Sequence, residues 1–85
     1  MAKSTTTIKQ RSLHEIAKEI KKDWGAKMHF GAKPYVDAMI CLNSISDMYG
    51  CDTGKSIVAY FLGNASSWRG EVARRIKKEL NAMIK

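Results

Sequence analysis

Between Leu13 and Trp24 the apolar residues Leu13, Ile16, Ala17, Ile20 and Trp24 recur at helical spacing, which predicts one amphipathic helix. Ser12, followed three residues later by Glu15, forms a capping box at its start, and Gly25 reads as a left-handed stop. The polar face mixes Glu15, Glu19 and Asp23 with Lys18, Lys21 and Lys22, as an ordinary solvated surface does. Residues 25–33 (GAKMHFGAK) hold two glycines and no period, so a loop is expected, with room for a short extended piece around Met28 to Phe30. Pro34 suits a first helical position and pushes Lys33 away from helical angles; a second helix starts there with Tyr35, Ala38, Met39 and Leu42 inward. Ser44 and Asp47 suggest another capping box and a short turn of helix through Tyr49, closed by Gly50. Asp52 or Thr53 then caps a helix with Ile57, Val58, Phe61 and Leu62 inward, ending at Gly63 and Asn64.

The stretch Trp68 to Lys85 (WRGEVARRIKKELNAMIK) carries the strongest two-sided pattern. Trp68, Val72, Ile76, Leu80, Met83 and Ile84 fall on one side, Arg74, Lys78 and Lys85 nearly opposite, and Arg75 and Lys77 on the flanks. Ser66 or Ser67 would cap this helix, Glu71 would favour its positive end, and Glu71 with Arg75 makes an i,i+4 pair. The fold class that follows is all-α: a compact bundle of four to five short helices around Trp24, Trp68, Phe61 and Tyr60. Residues 12–85 form the single domain and residues 1–11 a flexible basic N-terminal arm.

Charge sharpens this picture. The net charge of +7 is unevenly placed: residues 68–85 carry +4, the arm carries +3 through Lys3, Lys9 and Arg11, Lys27 and Lys33 add +2, and residues 34–67 sum to −2. A surface of this kind concentrates polyanions without choosing among them; the plainer reading is that it keeps a small protein soluble. With 85 residues there is one small core and no room for a deep substrate cavity. No apolar run approaches a membrane span, the N-terminus has no apolar leader, and two cysteines suit reduced thiols, so a cytoplasmic protein is expected.

The candidate chemistry thins out under inspection. Gly50-Cys51-Asp52-Thr53-Gly54-Lys55-Ser56 resembles a phosphate loop, but three residues separate its glycines where four are required, with Tyr49 where the first glycine should be. What survives is a helix start at Gly54, Lys55 and Ser56 with N–H groups able to hold one phosphate. A helix-turn-helix through Tyr49, Gly50 and Thr53 has suitable lengths, yet Lys55 is its one strong base-reading residue. His14, His29, Cys41 and Cys51 lack zinc-ligand spacing, and no catalytic constellation appears, so neither metal, cofactor nor enzyme activity is expected. The segment GNASSWRGE reads as a tight corner that locks the last helix in place, or alternatively as a partner-binding notch using Trp68 and Arg69.

Taken together, SLHEIAKEIKKDW, FGAKPYVDAM, ISDMYG and YFLGNASSWRGEVARRIKKEL, spanning roughly residues 12–82, resemble a set of small proteins without assigned activity that are typical of bacteriophages and other mobile elements. That resemblance implies a setting in which small accessory proteins bind DNA or disarm host defences such as CRISPR or restriction nucleases. It supplies no catalytic residue. The leading expectation is a non-enzymatic module that engages nucleic acid backbone or a host nucleoprotein through Arg69, Arg74, Arg75, Lys77, Lys78 and Lys85, with Lys55 and the arm residues Lys3, Lys9 and Arg11 assisting. The alternatives are a protein-binding inhibitor of the anti-CRISPR or anti-restriction type, and a homodimer built on the amphipathic last helix.

Overall fold

Ser12 acts as its position predicts: its Oγ accepts the Glu15 N–H at 3.1 Å, and α1 spans Leu13–Trp24 in the computed structural model, which describes residues 11–84. The next cap comes from tertiary structure, since the Leu13 N–H donates to the Asn43 carbonyl at 3.0 Å. After a tight turn at Gly25–Lys27 the chain forms α2 (Lys33–Ile40), a two-residue antiparallel ladder of β1 (Met48–Tyr49) and β2 (Asp52–Thr53), then α3 (Gly54–Gly63) and α4 (Glu71–Ile84). Side-chain contacts link Arg11 to Glu79, Glu19 to Arg75 and Asp23 to Trp68, so α4 runs antiparallel to α1. The described residues thus form an all-α bundle of four helices with one minimal hairpin.

The core collects the expected stripes. Leu13, Ile16, Ala17 and Ile20 of α1 meet Val36 and Met39 of α2, Val58 and Phe61 of α3, and Ala73, Ile76 and Leu80 of α4, all at most 1% exposed. At one end Trp24 and Trp68 stack with centroids 5.4 Å apart and planes 12° apart, and Phe61 meets both edge-on at 6.3 and 6.2 Å. Offset and edge-to-face arrangements place ring edges against ring faces, adding about 0.5–1.5 kcal/mol per pair to the area they bury. Tyr60, expected in this cluster, is instead 50% exposed, because α3 turns Ile57, Val58 and Phe61 inward and leaves position 60 on its outer side.

Several local expectations are corrected. Asp47 does reach back, accepting the N–H groups of Asn43 and Ser44 at 2.9 and 3.1 Å, but no helix follows. The chain turns at Gly50 and Cys51 into the hairpin, so the capping chemistry closes a turn, and the helix-turn-helix loses its first helix. These N–H groups hold the Asp47 carboxyl below its ordinary range. Lys33 is helical despite preceding proline, because the Ala32 carbonyl accepts the Tyr35 and Val36 N–H groups at 3.1 Å and Ala32 and Val36 are fully buried. That packing outweighs the pre-proline bias. Gly25 has φ 56° but ψ −132°, so it is not the expected left-handed cap. Of the extended piece at Met28 to Phe30, Met28 is extended (φ −60°, ψ 131°) but no strand forms, and a turn closed by the Ala32 N–H on the His29 carbonyl follows at once.

The largest correction concerns the last helix, which starts at Glu71, so Trp68 and Arg69 lie in the turn before it and Ser66 and Ser67 are too far upstream to cap it. Trp68 falls in phase with the helical stripe because the turn points it into the same core.

Candidate nucleic-acid interface

Docking of α4 on α1 sorts the basic residues into two groups. On the seam, Arg11 donates to both Glu79 oxygens, at 3.0 Å from Nε and 2.7 Å from Nη2, and to Glu19 at 2.7 Å. Arg75 pairs with the other Glu19 oxygen, so Glu71 is not its partner. Two arginines therefore meet two carboxylates. The bidentate geometry raises the Arg11 pKa, chiefly through Glu79, while Arg75 first and Arg11 second hold the Glu19 carboxyl below its ordinary range. Arg11, assigned by sequence to the arm, is pinned against the helical body.

Lys77 is also committed. Its Nζ donates to the Trp68 carbonyl at 2.6 Å, tying α4 to the preceding turn, and desolvation first, with nearby Arg69 second, lowers its pKa. The Trp68 indole donates in turn to Asp23 Oδ2 at 2.9 Å. Trp68 is thus a buried corner fastened at both ends, which accords with the structural reading of GNASSWRGE.

The outer face of α4 differs. Arg74 and Lys78, one helical turn apart, are exposed, and no ion pair or side-chain hydrogen bond holds either among the described residues. Arg69 is exposed at the helix entrance and, with Lys27, Asp23, Ser67 and the two tryptophans, lines a depression of about 410 Å³. The apolar stripe of α4, the surface a homodimer would use, is consumed by the core through Ala73, Ile76, Leu80 and Met83. Lys3, Lys9 and Lys85 lie outside the described residues.

Lys55 stands apart, at the end of α3 opposite the turn that carries Arg69. The phosphate cradle expected beside it is already filled: the N–H groups of Gly54, Lys55 and Ser56 donate to the Asp47 carbonyl (2.7 Å), the Ile45 carbonyl (2.9 Å) and Thr53 Oγ1 (3.1 Å). Gly54 is required there because a Cβ would lie 2.6 Å from the Ser44 carbonyl oxygen. Thr53 is the cap that the sequence offered as one of two.

Among the described residues no three His, Cys, Asp or Glu side chains cluster as metal ligands. His14 Nδ1–H donates to the Ile40 carbonyl at 2.7 Å, and Cys41 and Cys51 are separate exposed thiols. No described helix is long and apolar enough to cross a membrane.

Sequence reasoning passed over the loop of residues 25–33. Its Lys27 and Lys33 were counted as charge but not as site residues, although both are exposed, and Phe30 is 84% exposed. The available signal was a large aromatic between glycines and lysines in a segment with no period. The class these features define is a small all-α bundle with exposed cations on α1, α3 and α4 and on the loop of residues 25–33. No family model matches the chain, and no curated protein or solved structure matches it either.

Proposed function

We propose that this protein is a non-enzymatic binding module that engages nucleic acid through its backbone, using the outward cations of α4 and the adjoining turn. One observation carries this reading: Arg74 and Lys78 remain exposed and unneutralised among the described residues, while Arg11 and Arg75 on the same bundle are matched to carboxylates. Arg69 adds an exposed cation in the turn before α4, and this reading sets Arg75 and Lys77 aside because the fold employs them.

Backbone contact suits these residues better than base reading. Arg74 and Lys78 are long, flexible cations on a convex helix, and each phosphate they neutralise releases a counterion, so affinity should fall steeply with salt. A small protein of a mobile element, the setting implied by the resemblance, has use for such a surface on its own DNA or on a host nucleoprotein. Electrophoretic mobility shift at low and high salt tests the reading: binding to duplex or single strands that weakens with salt supports it, and no binding at low salt removes it. Capture of a partner from lysate that survives nuclease treatment would instead favour the inhibitor of a host defence complex.

A further inference from the structure

The loop between α1 and α2 presents Phe30 at 84% exposure, the highest among the large exposed apolar side chains of the described residues. It is not a loose ring. The His29 imidazole lies against it with centroids 5.0 Å apart and planes 14° apart, and His29 Nδ1 accepts the Gly31 N–H at 2.9 Å, which fixes the imidazole. Gly31 sits close to both side chains: a Cβ there would stand 2.9 Å from His29 Nδ1 and Asn64 Oδ1, so one of them would have to move. The loop is therefore seated against Asn64 at the end of α3. One turn back on that helix, half-exposed Tyr60 packs on Tyr35 with centroids 5.6 Å apart.

Along the chain, exposed Lys27 and Lys33 stand three residues to either side of the ring at position 30. Lys27 shares a depression with Arg69 and with Asp23, whose carboxylate is engaged by the Trp68 indole, and Lys33 shares another with Met28 and with Lys21, which is paired to Asp37. Exposed, pre-oriented aromatic faces between lysines match what an unpaired base and its neighbouring phosphates require.

We propose that residues 27–33 form a stacking platform for single-stranded nucleic acid, with a base on the His29–Phe30 pair and flanking phosphates at Lys27 with Arg69 and at Lys33. This deepens the nucleic-acid reading above and rests on it. Duplex bases are already stacked and offer no free face to Phe30, so the platform selects single strands. A second copy of the chain fits less well, because Lys27, Lys33 and Arg69 would meet their own like charges.

The test is an anisotropy titration of an oligothymidylate of roughly ten nucleotides, and of a matched duplex, with the wild-type chain, Phe30→Ala and Gly31→Ala. Phe30→Ala removes a solvent-facing ring, so thermal unfolding should be unchanged while single-strand affinity falls about 5- to 100-fold, with the salt slope and duplex affinity unaffected. Gly31→Ala keeps both rings but displaces His29, and should give a smaller loss in the same direction. Equal oligothymidylate affinity for wild type and Phe30→Ala would overturn the platform and leave the α4 reading standing. Wild type that binds neither strand nor duplex at low salt would overturn both. Self-association abolished by Phe30→Ala, with strand affinity retained, would assign the ring to a second copy.

Discussion

The seam between α1 and α4 and the outer surface of α4 are built from the same residue types within a few residues of each other, yet they do different work. On the seam, Arg11, Arg75, Glu19 and Glu79 satisfy one another, and Lys77 and Asp23 fasten the Trp68 turn. On the outer surface, Arg74, Lys78 and Arg69 stand in solvent. A cation's neighbours in sequence do not say which group it joins: Arg74 and Arg75 are adjacent, and one is unpaired among the described residues while the other spans to a residue 56 positions away. What decides is the 100° step between them and the angle at which α4 meets α1.

The sharpest way to break the seam is at its corner. Trp68→Ala removes a buried ring, two aromatic contacts and the Asp23 bond, and should cost about 3–5 kcal/mol in urea unfolding. A loss below about 1 kcal/mol would show that the corner is not fastened as described. A smaller effect is expected from the paired arginines. Arg11→Gln with Arg75→Gln should cost about 1 kcal/mol, because these side chains are 34% and 51% exposed and solvent screens part of the attraction.

Acidification gives the mildest perturbation and has a definite sign. The Glu19 and Asp47 carboxyls both titrate below their ordinary values in the folded chain, Glu19 because of Arg75 and then Arg11, Asp47 because of the Asn43 and Ser44 N–H groups. Each contributes stability that is present above the unfolded carboxyl value and is lost as pH falls through the folded one. Unfolding monitored by circular dichroism should therefore show a stability roughly flat near neutrality and declining below about pH 4. Glu19→Gln should be less stable than wild type at neutral pH, with the gap narrowing on acidification.

These distinctions mark how far the sequence could be read. Its local signals were sound where one helix carries its own evidence: Ser12 with the Leu13–Trp24 stripe, Thr53 before α3, and Trp24, Phe61 and Trp68 as core. They misled where two local preferences compete. Ser44 and Asp47 make capping bonds in a turn as readily as in a helix, and the hairpin at Met48–Thr53 then takes the chain elsewhere. Trp68 joined the helical stripe on paper because a turn can aim a side chain at the same core. Of the candidate site, the location of the basic helix was legible, but which of its cations are already paired was not, since that depends on contacts such as Arg11 with Glu79, 68 residues apart. The exposure of Phe30 was hidden for a similar reason: it depends on how the loop lies near Asn64, 34 positions along the chain.

On the proposed reading, the outer cations bind and the seam cations hold. The salt dependence of affinity for one nucleic acid, measured in parallel for Arg74→Gln/Lys78→Gln and Arg11→Gln/Arg75→Gln, tests it directly. The first pair should lower the slope of log affinity against log salt by about one per cation removed, while the second should leave the slope at the wild-type value. A reduced slope for the seam pair, with the outer pair behaving as wild type, would contradict it.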